Sequence, residues 1–316
     1  MIVVGGEALV DLVPDAFAEM STVENGLRPL WPRLGGGPYN TALAAGRLGA
    51  PVAFLSRLST DRFGDALLRR LHSSTVDTSL VQRGPEPTTL AVVALDDHGT
   101  ARYTFYTEGT ADRLVADPGP LPAEVSALSL GTLGMVLEPG ASTYEVLLRR
   151  AAAAGTLTVL DPNIRADLIA DPPAYRARFA SWLPDVGLLK LSVDDAAWLA
   201  DGVDPEAAAR SWVDDAGVRA VVLTWGAGGL SVLTATGVSV RVPVVPARVV
   251  DTIGAGDTVH GALLAWLHGH RVADPASLGE REWRAALRFA ARAAAITVSR
   301  RGAEPPAAAE LDLAQC

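Results

Sequence analysis

The chain has 316 residues, 49% hydrophobic and 20% charged, a composition that can pack a core and excludes a disordered class. A formal charge of -9, from 27 basic and 36 acidic residues, argues against a broad basic footprint for nucleic acid or anionic lipid, so small-molecule chemistry is expected. The only cysteine is Cys316, which excludes an intramolecular disulfide and a cysteine-rich zinc site.

Met1 leads directly into IVVGGEALV with no basic segment ahead of it, and no run is long and apolar enough to span a bilayer. The reading is a cytoplasmic protein with one domain over 1–316 and no membrane or nucleic-acid partner. Short β-branched or apolar runs at 2–6, 52–58, 125–131, 156–161, 186–192 and 219–226 alternate with helical stretches. That alternation predicts an α/β protein with parallel strands and crossover helices. NTALAAGRLG (40–49) reads as a helix closed by Gly49. DRFGDALLRRLHSS (61–74) reads as a helix capped by Asp61, with Phe63, Leu67, Leu68 and Leu71 at helical spacing. The segment 88–109 breaks the rhythm, because two strand-like halves flank Asp97-His98-Gly99 as in a hairpin. With the irregular stretch 12–32 it is expected to form a small sheet projecting as a lid.

Lys190, the only lysine, lies between Leu189 and Leu191, so the Gly-Lys-Ser/Thr of a P-loop is missing. No His-Arg-Asp triplet of a protein-kinase catalytic loop occurs. VVGGEALVD lacks the Gly-x-Gly-x-x-Gly turn of a nicotinamide-dependent oxidoreductase. The five histidines, His72, His98, His260, His268 and His270, form no metal-ligand spacing and read as solvated or core-edge side chains.

DTIGAGDTVHGALLAWL (251–267) is the most informative stretch. The preceding VPARVVDTI is strand-like, and Val259, Leu263, Trp266 and Leu267 mark one helix face, so Gly254-Ala255-Gly256 reads as a strand-to-helix turn. Such a helix start offers unpaired N–H groups and a positive dipole end to an anion. Asp257 beside it repels phosphate but can take a proton from a hydroxyl attacking that phosphate, and the dipole is expected to keep it ionised. A tight turn with a capping aspartate is the alternative.

GGGPYNTALAAGRLG (35–49) and DTIGAGDTVHGALL (251–264), in this order, resemble the paired signatures of the ribokinase-like (PfkB-type) carbohydrate kinases, most of all bacterial fructokinases. The likeness runs from GEALVDLVP to SRRGAEPP. It implies a three-layer ribokinase-like fold, a mostly parallel central sheet flanked by helices plus a small β-sheet lid. It further implies ATP-dependent transfer of the γ-phosphoryl group to a sugar hydroxyl, with a ketohexose such as fructose expected. Ribose, 2-keto-3-deoxygluconate or adenosine as acceptor, or a non-catalytic sugar-binding relative, remain the alternatives. By resemblance Asp257 is the catalytic base, Gly254, Ala255 and Gly256 form the anion hole, and Arg165 of DPNIR joins them. Asp11, Gly35, Gly36 and Asn40 match sugar-binding positions, with Arg102 and Tyr106 contributed by the lid hairpin. Asn163, Lys190, Thr224, Gly226, Gly228, Gly229 and Gly302 fall on the nucleotide's side. Ser192 and Asp195 stand where the family holds magnesium through Asn-x-x-Glu, so Mg2+ is expected through water. Asp251 and Ile253, with the loop 299–302, match a potassium site. Thr107 replaces an arginine common in relatives, which argues against a sugar acid, and Ala291 replaces an asparagine of the adenine pocket. An exposed lid edge invites a homodimer.

Overall fold

In β1 (Ile2–Gly5) Ile2 and Val4 face one hydrophobic layer and Val3 the other, the alternation expected of a strand buried on both sides. The structure is a computed structural model describing residues 1–14, 28–95 and 101–313. The turn expected at Asp97-His98-Gly99, the middle of the stretch 12–32, and Cys316 lie outside the described residues.

All six expected runs become strands of one sheet. β1 pairs in parallel with β4 (Val52–Ser59) on one side and β8 (Ala127–Gly131) on the other. The sheet continues through β9 (Leu157–Asp161), β10 (Leu188–Ser192) and β11 (Ala220–Thr224), all parallel, with β5 (Val81–Gly84) parallel at the opposite edge. Antiparallel β12 (Leu230–Thr234) and β13 (Ser239–Val242) complete nine strands in the order β13-β12-β11-β10-β9-β8-β1-β4-β5.

One face carries α1 (Gly37–Arg47), α2 (Arg62–Ser73), α7 (Ala255–Gly269), α8 (Glu280–Val298) and α9 (Ala308–Leu313). The other carries α3 (Gly140–Ala153), α4 (Pro172–Trp182), α5 (Val193–Leu199) and α6 (Pro205–Asp214). Asp61 caps α2 by accepting the Gly64 N–H at 2.7 Å, as its sequence position predicts. α1 and α7 lie close because their facing residues are small, and a Cβ on Gly261 would stand 2.6 Å from Ala44 Cβ and from the Thr41 carbonyl oxygen. That contact sets where the first turns of both helices meet.

A second sheet of four strands, in the order β3-β2-β6-β7, is built from β2 (Leu9–Pro14), β3 (Leu30–Gly35), β6 (Thr89–Leu95) and β7 (Ala101–Tyr106). The first two strands overrun the expected 12–32 at both ends. One expectation fails, since VPARVVDTI (245–253) is not a strand. Pro243 and Pro246 remove two backbone donors, and Val244, Val245, Val249 and Val250 are exposed. The segment is a surface loop, tied down where Val250 N–H donates to the Val298 carbonyl at 2.7 Å.

Candidate active site

The carboxyl ends of the parallel strands converge where α1 and α7 begin, which is where α/β sheets place ligands. Gly254 caps α7 with φ 75°, a left-handed conformation that glycine adopts without cost. A Cβ there would also stand 2.5 Å from Ala303. The Ala255 N–H turns back to the Thr252 carbonyl at 3.2 Å, so the seat is narrower than all three residues of the turn. The N–H groups of Gly256 and Asp257 take no partner among the described residues and face the helix start.

Asp257 sits half-buried in that first turn. Asn40, from the first turn of α1, donates Nδ2–H to its Oδ2 at 2.9 Å. Burial pushes the Asp257 carboxyl above its ordinary range, while the Asn40 bond and the Lys190 and Arg165 charges pull it back and Asp161 adds repulsion. The sequence expectation that the helix dipole keeps it ionised thus meets a larger opposing effect, desolvation. The result is a carboxyl tuned toward accepting a proton. Asn40 is no helix cap, and its Oδ1 is buried without a partner.

From the small sheet, Asp11 faces the same space. A Cβ on Gly35 would stand 2.4 Å from Asp11 Oδ2, so Gly35 clears room for this carboxylate. Gly36, at φ 112°, turns the chain into α1 over the Glu7 carbonyl. Burial raises Asp11 to about 6, with Arg165 opposing and Asp257 assisting. Arg165 is held by its own loop, Nη1 donating to the carbonyl of Asn163 at 3.0 Å and to its Oδ1 at 2.9 Å. Asn163 is therefore a support for Arg165. Asp11, Gly35, Asn40, Asp251, Ile253 and Gly302 line a cavity of about 740 Å³, together with Trp31 and Arg33. Gly302 thus lines this cavity, its N–H donating to Asp251 Oδ2 at 2.8 Å, although the resemblance put it on the nucleotide's side.

Strand alternation sorts the lid aromatics. Phe105 packs with Leu9, Ala91 and Leu133, and Tyr103 stacks on it at 6.0 Å, close enough to Asp11 and Arg165 to feel their charges. Tyr106 lies on the other face, 59% exposed, so the aromatic turned toward the cleft is Tyr103, which sequence reasoning missed. Arg102 pairs with Ala94, and its side chain lies outside the described residues. Glu7 was also missed. Its Oε1 accepts the Gly37 N–H at 3.0 Å and its Oε2 the Gly134 N–H at 3.2 Å, fixing the start of α1, and burial pushes it up to about 8.

On the far side of the same turn, a cavity of about 470 Å³ is lined by Thr224, Gly226, Gly229, Ala255, Gly256 and Ala291 among others. Gly228 does not line it, lying instead against Trp225 and Arg241. Residues 251 and 253 face one cavity while 252, 255 and 256 face the other, so the turn is the wall between them.

Lys190 lies below this wall, 5% exposed, with Nζ 3.4 Å from where a Cβ on Gly256 would project. Its Nζ donates to Asp161 Oδ2 at 2.7 Å. Ser192 and Asp195, the pair expected to reach magnesium through water, bond to each other. Asp195 Oδ2 accepts from Ser192 Oγ at 2.7 Å and Oδ1 from the Ile164 N–H at 2.9 Å, so the pair forms a helix capping box. Among the described residues no group of three or more His, Cys, Asp or Glu is placed to hold a metal. The Asp251 and Ile253 carbonyls accept no hydrogen bond among the described residues, which fits a monovalent cation.

The residue pattern of the pfkB family of carbohydrate kinases matches residues 1–310. A fructokinase of Rhizobium leguminosarum bv. trifolii is 40% identical over 269 residues, 84% of this chain and 79% of that protein. Fructokinase-2 of Zea mays is 32% identical over 314 residues, 96% of this chain and 90% of that one. The crystal structure of fructokinase with bound ATP from Xylella fastidiosa matches with a TM-score of 0.85 at 27% identity, over 99% of this chain and 98% of that chain.

Proposed function

We propose, from the premise that this chain belongs to the pfkB family of carbohydrate kinases, that it transfers the γ-phosphoryl group of ATP to a hydroxyl of fructose. It is an ATP-dependent sugar kinase. The observation that carries the mechanism is the shared wall, one turn with unpaired amides between a polar cavity and an apolar one, followed directly by Asp257, whose carboxylate is bonded by Asn40 of the polar cavity. The sugar lies in the polar cavity with hydroxyls on Asp11 and Asn40, and the nucleotide base lies in the apolar one. Asp257 takes the proton of the attacking hydroxyl while the Gly256 and Asp257 amides hold the moving phosphoryl group, assisted by Arg165. The small sheet closes over the sugar and excludes water. Fructose is favoured by the fructokinases among its relatives.

A sugar acid is the second reading, because Arg33 in the cavity wall could pair with a carboxylate where Thr107 cannot. The carbonyls of Asp251 and Ile253 would hold a potassium ion, whose charge would steady the turn. Exposed Leu30 and Tyr106, on the edge strands of the small sheet, support a homodimer through the lid. Its working place is the cytoplasm, where ATP is supplied. Among the described residues no helix is long and apolar enough to cross a membrane.

ADP release measured over fructose, ribose, adenosine and 2-keto-3-deoxygluconate tests this. Fructose should give the highest kcat/KM. A higher value for the keto acid would favour the second reading, and no release with any acceptor would leave a sugar-binding protein.

A further inference from the structure

Expected among the solvated or core-edge histidines, His260 is 2% exposed and faces inward from the second turn of α7, three residues beyond Asp257. Its Nδ1 lies 3.2 Å from Asp161 Oδ2 and its Nε2 lies 2.8 Å from Ser129 Oγ. Asp161 ends β9 and Ser129 lies in β8, so one imidazole ties the helix that carries the base to two strands of the central sheet. An ionised Asp161 only accepts, so Nδ1 carries a ring proton and donates to it, and in the neutral ring the Ser129 hydroxyl donates to Nε2. Asp161 Oδ2 thereby receives two donors, His260 and Lys190 Nζ at 2.7 Å, while Oδ1 is buried without a partner. Despite burial, which pushes it up, the charge of Lys190 and the His260 bond hold Asp161 below the usual carboxylate range.

Burying an ammonium, a carboxylate and an imidazole together is weak as a stabilising device, since desolvation offsets most of the attraction. Its placement has a clearer consequence. Lys190 feels three carboxylates, Asp161, Asp257 and Asp195, and bonds only the first. A lysine free to move to Asp257 would neutralise the base and leave the floor of the anion hole.

We propose that His260 is a positioning residue for phosphoryl transfer, orienting Asp161 so that Lys190 stays beneath Gly256 and away from the Asp257 carboxylate. The proposal rests on the kinase reading and assigns His260 no contact with substrate. The groups that face Asp257 are Asn40 from α1, Lys190 from β10, Asp161 from β9 and Arg165 from the loop after it, with Asp11 across the cleft.

The test is the pH profile of kcat with fructose and ATP for the parent and for His260→Leu, His260→Asn and Ser129→Ala. Removing the imidazole should lower the plateau roughly tenfold to hundredfold, the scale of a small misplacement of catalytic groups. It should also move the acid limb to lower pH, because Lys190 released toward Asp257 favours the ionised base. His260→Asn keeps an N–H donor near the position of Nδ1 and should recover most of the plateau and the parent's limb. Ser129→Ala should shift the limb in the same direction by less, and serves where the leucine variant does not fold. A limb that overlays the parent's in His260→Leu, or in Ser129→Ala where that is the one available, overturns the role of His260 while parental turnover keeps the kinase reading standing. Loss of plateau with an unmoved limb also overturns it, as the mark of a structural role alone.

Discussion

The two cavities divided by residues 251–256 differ in kind. The cavity beside Asp11 presents carboxylates, guanidinium groups and an amide from Asp11, Arg33, Asn40 and Asp251, whereas its neighbour is walled by valine, proline and alanine side chains such as Val245, Pro246, Ala291 and Val298. A ligand read by directional bonds is rejected strongly when a partner atom is missing, because a buried polar group is then left unpaired. A ligand read by apolar contact is discriminated by only about 1–3 kcal/mol per methylene. The chain should therefore be strict about its acceptor and tolerant about the base of its donor, with the donor's phosphates located by the amides of the shared wall.

The strongest way to break this contrast is at the wall itself. Asp257→Asn keeps the shape and the Asn40 neighbour but removes the proton acceptor, and kcat should fall by roughly a thousandfold, within the range for a positioned general base. Fructose binding measured by calorimetry should stay within a few fold of the parent. Turnover at the parent's rate would remove the base from Asp257 and with it the meaning of the wall.

Next in size is the polar cavity. Asp11→Ala should raise the KM for fructose roughly tenfold to hundredfold, the loss of one or two charge-assisted hydrogen bonds, and leave the KM for ATP nearly unchanged. The pH dependence has a definite sign. With its carboxyl raised to about 6, Asp11 is ionised above that pH and takes up a proton below it, so kcat/KM for fructose declines as the pH falls through 6. Asp257, also raised, loses its charge in the same direction as the pH falls. Asp11→Asn should make the decline shallower, since one of two titrating groups is gone. A limb of unchanged steepness would place Asp11 outside the sugar site.

Within the lid, Tyr103→Ala should raise the KM for fructose several fold, and Tyr106→Ala should leave it unchanged, because adjacent faces of one strand meet different surroundings. Saturation kinetics on the two variants decide it, and an equal effect from both would break the assignment of faces. The sequence could say that neighbours along this strand face opposite ways. It could not say which face is inner, because that depends on Leu133 and Leu168, contributed by loops after β8 and β9. The same limit explains the other differences. The crossover strands, the Asp61 cap and the helix after Gly254 were legible because each depends on local periodicity or one residue's chemistry. The Asn40 bond to Asp257 joins residues 217 apart, and the His260 bond to Asp161 joins residues 99 apart, so no spacing announced either. The run 245–253 misled for the converse reason, since its valines suit a strand but Pro246 within it and Pro243 just before it remove donors that pairing would need.

The smallest expected effect lies in the apolar cavity. On the proposed reading a purine bound there would be held by contact with aliphatic side chains, Ala291 among them, and exchanging adenine for guanine would alter polar edge groups that no lining side chain is placed to read except Thr224 and Thr252. The kcat/KM values for ATP and GTP should then differ by less than about tenfold, which is 1.4 kcal/mol and about one ordinary hydrogen bond. The spread across the sugar panel should exceed that. Ala291→Asn would put an amide into the cavity and should widen the ratio toward whichever purine it can bond, with the KM for fructose unmoved. A parent that already prefers ATP by a hundredfold or more would mean that backbone groups of the 243–253 loop read the base, and the two cavities would then discriminate by the same means.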